Sequence, residues 1–230
     1  MASSPVLGVP GIRTSRTATP RKALLSEDYK VLYPGSRIID GSKSRDPLHT
    51  GNLDILRAGM LMGRITASGK YAPCFIGKVT ADYTSGATSL TVSPATAVEI
   101  VRRVGATGTL LGFGAPTATG TVVQFAVVYS AVNVTTGVLT ITNIGANVDE
   151  GALLGAGDGS MIPVAVIGDG YGIKVTDDDA VSIDVPFNPM VIGGVLDVTQ
   201  VPNWPETEDT TLRAYVKAYI CDHFICSDDF

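Results

Sequence analysis

Only 17% of the 230 residues are charged, and the chain holds just two histidines, three cysteines and one tryptophan. Each scarcity removes a class of protein. So little charge beside 45% hydrophobic residues excludes a solvated helical chain, and equally a chain disordered over its whole length. Cys74, Cys221 and Cys226 cannot build a disulfide framework, so folding in a reducing cytoplasm is expected. The first ten residues lack the charged leader and long apolar stretch of a secretory signal. No run approaches the roughly 18 uninterrupted apolar residues of a membrane-spanning helix, so a soluble chain with no membrane partner is expected.

The same poverty bears on chemistry. His49 stands among polar residues with no held partner to make it a base. His223 lies in Cys221-Asp-His-Phe-Ile-Cys226, three candidate ligands without the paired Cys-x2-Cys spacing of a zinc site. Asp177-Asp178-Asp179 lacks the alternating oxygen ligands of a calcium loop and reads as a solvated acidic turn. The glycine-studded loop from Gly151 to Gly159 has neither the Lys-Ser/Thr ending nor the following helix of a phosphate loop. There is no Gly-x-Ser-x-Gly elbow. No metal, cofactor or catalytic set is expected, and no enzyme.

What the chain does have is glycine (26), proline (13) and short runs of β-branched and aromatic residues. From Gly59 to Pro73, Leu61, Gly63, Ile65 and Ala67 alternate with Met60, Met62, Arg64 and Thr66, and Ser68-Gly69 supplies a reversal, which predicts a hairpin. Further strands are expected at Ser89–Val92, Gly120–Ser130, Gly137–Asn143, Ile162–Ile167, Tyr171–Thr176, Ala180–Pro186 and Val191–Val198. Pro94–Val104 reads as a short helix through Val98, Val101 and Arg102, or less cleanly as a strand. Leu212, Tyr215, Val216, Tyr219 and Ile220 fit a C-terminal helix, whereas Leu212, Ala214, Val216, Ala218 and Ile220 fit a closing strand. No repeat of 20 to 50 residues is present, which sets aside solenoids and propellers. The expected class is mainly β, a barrel or sandwich.

Charge is unevenly placed. Up to Arg45 the balance is +5, from Arg13, Arg16, Arg21, Lys22, Lys30, Arg37, Lys43 and Arg45 against Glu27, Asp28 and Asp40, so the remainder carries -10. Residues 1–50, rich in Ser, Thr, Pro and Gly, read either as a solvating tail or as an extended basic arm ordered by a partner. The arm has few interleaved aromatics, so single-stranded nucleic acid is not an expected partner.

The stretch Leu56-Arg-Ala-Gly-Met-Leu-Met-Gly-Arg-Ile-Thr-Ala-Ser-Gly-Lys-Tyr-Ala-Pro73 resembles the opening of head decoration (capsid cement) proteins of tailed bacteriophages. Asp158-Gly159-Ser160 running on to Pro163-Val-Ala-Val-Ile167 is similar to the Asp-Gly-Ser-x-x-Pro strand that usually follows. Gly59, Gly63, Gly69, Lys70, Tyr71, Pro73, Asp158, Gly159 and Pro163 carry the match as scaffold residues. In compact members the two pieces are close in sequence, whereas here residues 77–157 intervene. The resemblance implies a discontinuous decoration-type β domain over 51–76 and 158–230, with 77–157 as an inserted β domain. It implies a virion structural protein on the outer capsid surface, made in the host cytoplasm, that bridges major capsid subunits and associates with itself as a dimer or trimer. The basic residues of the arm are then the expected capsid contacts. A phage surface adhesin or fibre component that binds host glycans through the middle block is the alternative, and a nucleic-acid binder using the arm is a third.

Overall fold

The expected hairpin forms. Leu61–Arg64 pairs antiparallel with Tyr71–Pro73, and Ile65 N–H bonds to Lys70 O at 2.8 Å across the turn. Its alternation does not separate a core face from a solvent face, however, because Leu61, Met62 and Gly63 are all buried. Leu61 packs into one apolar cluster and Met62 into another, so the strand is sandwiched between two cores.

The computed structural model describes residues 22–25, 30–33, 37–114, 123–168, 170–202, 204–205, 213–214, 216–218 and 224–226. The chain is mainly β, and its sheets curl as half-barrels. In chain order, β1 (Val31–Leu32), β2 (Ile38–Ile39) and β3 (Ile55–Leu56) precede the hairpin strands β4 (Leu61–Arg64) and β5 (Tyr71–Pro73). The middle of the chain supplies β6 (Gly77–Lys78), β7 (Ser89–Thr91), helix α1 (Pro94–Arg103), β8 (Gly108–Gly114), β9 (Val123–Asn133), β10 (Val138–Ile141) and β11 (Leu153–Gly155). After it come β12 (Pro163–Ile167), β13 (Ile173–Lys174), β14 (Val185–Pro186), β15 (Met190–Leu196) and β16 (Phe224–Cys226).

These strands segregate. One sheet runs β1-β15-β12-β4-β5-β2-β14, with β16 beside β15, and a small one pairs β13 with β3. The other large sheet runs β6-β11-β8-β9-β10-β7, all of it between residues 77 and 155. Its two edges are drawn together by a bridge between Val79 and Val92 and by Thr80 N–H bonding to Thr91 O at 2.9 Å. Inside that curl lie Val79, Leu90, Leu110, Val127, Leu139 and Leu154, with Ala97 and Ile100 of α1 packed into the same cluster. A second cluster joins the two large sheets: Phe75, Phe113 and Leu153 meet Leu61, Val166, Val191 and Trp204, and the Phe75 and Phe113 rings stand edge to face at 6.0 Å.

Several expectations change in detail. Helix α1 forms, capped by Ser93 Oγ accepting from Thr96 N–H and opened by Pro94. It turns a different face inward, burying Thr96, Ala97, Glu99, Ile100 and Arg103, while Val98 is 49% exposed. The stretch 151–159 is not all loop. Leu153 and Leu154 are both fully buried in β11, a central strand covered on both faces, and three residues with no polar face carry no period. Helical residues occur at 213–214 and 216–218, with Val216 in the inter-sheet core; Leu212, Tyr215, Tyr219 and Ile220 lie outside the described residues. Within 1–50, Ala23, Leu24 and Ile39 are buried, and β2 lies between β5 and β14.

Gly63 sits where β4 passes under the Asp158–Pro163 segment. A Cβ there would lie 1.8 Å from Ser160 O and 2.7 Å from Ile162 O, both backbone atoms of the segment that crosses it. Gly63→Ala is therefore expected to cost about 3 kcal/mol, the upper part of the range for overpacking. Gly51→Ala, at φ +81° with nothing within 4 Å, is expected to cost only about 1 kcal/mol of backbone strain. Urea denaturation of the two variants measures both, and equal losses would contradict the close approach at Gly63.

Candidate functional site

The two segments that carry the family resemblance come together although more than eighty residues separate them. Gly63 pairs with Pro163 across β4 and β12, and Thr66 N–H bonds to Asp158 O at 2.9 Å. Gly159, at φ +96°, has Thr66 Oγ1 2.1 Å from where a Cβ would be, so neither chain could approach if this residue bore a side chain. Tyr71 is buried edge to face with Phe187 at 5.5 Å, and Lys70 Nζ meets Asp184 at 2.5 Å on the surface. Gly59 and Gly69 take positive φ at the two ends of the hairpin, at +86° and +71°. Gly63, Pro73, Asp158, Gly159 and Pro163 meet at one joint, whereas Gly59 packs against Ala23 and Gln200, Gly69 against Arg64, Lys70 on Asp184 and Tyr71 on Phe187.

The centre of that joint is Arg103, from the last turn of α1. Its side chain is 1% exposed and donates to Pro73 O at 2.6 Å, to Ser160 Oγ, and to Asp158 Oδ2 at 3.5 Å. Asp158 in turn accepts from Ser160 N–H at 3.0 Å and from the Ser160 hydroxyl. Burial lowers the Arg103 pKa, opposed by Asp158 and Glu99, and a guanidinium keeps its charge in a protein. Burial alone would raise Asp158; the Arg103 charge and the Ser160 bonds outweigh it and hold the carboxyl below its usual value. Cys74 lies against the same joint, and burial pushes its thiol well above the ordinary value, which leaves it an inert thiol. With a depressed carboxyl, a fixed cation and a protonated thiol, this cluster holds structure and offers no group poised to move a proton near neutral pH.

The eight basic residues expected to contact a capsid are not equivalent. Arg13, Arg16 and Arg21 lie outside the described residues. Lys22 and Lys30 are exposed. Arg37 bonds to the Tyr33 hydroxyl and lies over its ring, 4.5 Å from the centroid. Lys43 Nζ donates to Arg103 O at 2.8 Å, capping the end of α1, while Arg102 pairs with Glu99 and donates to Ser42 O. Arg45 is pinned by Gly41 O at 3.0 Å, Ser44 O at 2.7 Å and Ser182 Oγ at 2.8 Å, and it lines an open cleft. That cleft, of about 570 Å³, is also lined by Pro47, Thr50, Gly51, Leu53, Asp54, Ala95, Thr176 and Ala180.

The remaining candidates hold local structure. His49 Nδ1 is 3.1 Å from Ile55 O within its own loop. Asp177 Oδ1 accepts from Asp179 N–H at 3.0 Å and Val181 N–H at 2.8 Å, closing the acidic turn on itself. Cys226 is buried in β16, and Cys221 and His223 lie outside the described residues. Among the described residues no group of three or more His, Cys, Asp or Glu could hold a metal ion.

Arg103 is the residue that reading the sequence missed. Its signal was spacing: Ala97, Ile100 and Arg103 recur every three residues on one helical face, and an arginine on that stripe needs acceptors in the core. Arg103→Met is expected to destabilise by about 3–5 kcal/mol, because it leaves the Asp158 carboxylate without its cation. Asp158 is depressed when folded, so its contribution is full above the unfolded value of about 4 and is lost as pH falls through the lower folded value. Acid titration of stability should fall less steeply in Asp158→Asn than in the parent; identical acid limbs would show that Asp158 gains nothing from Arg103.

Compared with known proteins, the chain matches no family model, no curated protein and no solved structure.

Proposed function

We propose that this protein is a capsid cement protein: a non-enzymatic virion component that binds the outer surface of an assembled phage head and bridges major capsid subunits, acting as a dimer or trimer. The observation that carries the reading is the joint itself. The Gly59–Pro73 and Asp158–Pro163 segments, which resemble consecutive parts of a decoration protein, pair in space through Gly63 with Pro163 and Thr66 with Asp158. On this reading 51–76 and 158–230 form a discontinuous decoration-type domain, and 77–157 is an insertion docked onto it by Arg103 and the Phe75–Phe113 contact. A rigid block of this kind stabilises a shell by mass action, since it binds assembled subunits in preference to loose ones. Many weak copies suffice where bridging raises effective concentration.

Ala23, Leu24 and Ile39 belong to the body, so an arm that reaches a capsid is drawn from residues 1–21 with Arg13, Arg16 and Arg21. The test is co-sedimentation with purified heads from which decoration has been stripped. Saturable binding and a raised temperature of head disruption are expected, with affinity at least about tenfold weaker after deletion of residues 2–21, or about 1.4 kcal/mol. Absence of binding to heads, with retention on host envelope fractions, would overturn the reading in favour of an adhesin.

A further inference from the structure

The cleft beside Arg45 is open, not enclosed: Thr50, Gly51, Leu53, Ala95 and Ala180 on its rim are all exposed. A small ligand is normally buried over most of its surface, which such a rim cannot do, whereas a protruding chain segment needs only one side covered. The chemistry of the walls is specific. Arg45 has five N–H groups, and the three bonds to Gly41 O, Ser44 O and Ser182 Oγ hold the guanidinium in place. Its Nε–H and one Nη2–H have no acceptor among the described residues, a pair of donors on a cation already immobilised. Burial and the neighbouring Arg102 both press on the Arg45 charge, with Glu99 and Asp54 offsetting them, so an added anion would find a cation that gains from being paired. Asp54 and Thr176 also line the cleft, with Asp54 Oδ2 accepting from Thr176 Oγ1 at 2.7 Å. Leu53, Ala95 and Pro47 add apolar lining.

We infer that this cleft seats an acidic peptide segment of a partner protein, with a side-chain carboxylate on Arg45. The inference deepens the proposed function by giving the body a contact of its own apart from residues 1–21, and it rests on that reading only for who supplies the segment. A bidentate carboxylate on an anchored guanidinium is stronger and more directional than one on a free surface lysine. Lys22 and Lys30, exposed and in no described bond, have no such anchoring.

The test uses the full chain, labelled with nitrogen-15, titrated with the peptide acetyl-Ala-Glu-Glu-Ala-amide and with its Gln-Gln counterpart. Amide shifts at Thr50, Gly51, Leu53, Ala95 and Ala180 are expected to saturate with the acidic peptide, at a dissociation constant on the order of 1 mM, and to be at least about tenfold weaker with the Gln peptide. Ala95→Glu puts a carboxylate on the rim at an exposed position of the first helical turn, where it favours the helix, so the fold is retained while acidic peptide binding drops by about tenfold or more. Arg45→Lys should weaken binding similarly. Equal shifts with both peptides, no shifts at all, or undiminished binding to Ala95→Glu would each overturn the inference. The outcome is separate from head binding: heads that bind a chain whose cleft ignores the acidic peptide leave the cement reading standing and remove the cleft.

Discussion

A guanidinium carried into a protein interior has to be met there by acceptors, because its desolvation is otherwise too costly to sustain. Arg103 is in that position, and its acceptors come from two other parts of the chain: Pro73 O from the end of the hairpin, and Asp158 with Ser160 from the turn that follows the middle block. One side chain therefore ties the end of α1 to both segments that flank the sheet formed between residues 77 and 155. The apolar contact among Phe75, Phe113, Leu153 and Trp204 closes beside it, so the polar joint and the inter-sheet core fix the same relative placement of the two large sheets.

The segment around Asp40–Arg45 extends this arrangement to the surface. Asp40 caps a single 3-10 turn by accepting from Ser42 and Lys43 N–H groups, which presents Lys43 to the carbonyl of Arg103 and Ser42 O to Arg102. The same turn places Arg45 on the cleft wall. Cations that composition groups as one basic stretch thus take different roles. Arg37 and Lys43 hold the body together, Arg45 is fixed in place with donors left over, and Lys22 and Lys30 face solvent.

Much of the β architecture was legible locally. The β9–β10 hairpin, the β4–β5 hairpin and the strand at β12 come from β-branched runs punctuated by glycine and asparagine, signals that act over a few residues. The face of α1 was not, because Val98 and Val101 look more apolar than Thr96, Glu99 and Arg103, and only the positions of Gly77, Pro73 and Ser160 make the second set the inward one. Strand β11 was hidden for a related reason: two leucines between glycines carry no alternation when both faces are covered. At the candidate site, Arg45 stood out as one cation among eight; nothing near it in sequence marks Leu53, Ala95, Thr176 and Ala180 as its neighbours.

By itself the sequence determined the mainly β class and the hairpins, since these follow from residue types and spacings within a few positions of one another. Tertiary structure alone decided which charges are buried, which basic residues remain outward, and that Gly63 and Gly159 stand at a close crossing of two chain segments. The physical reason is range. Strand and turn preferences are set by local sterics, whereas the fate of a charge or of a missing side chain depends on which distant acceptor or backbone the fold brings against it.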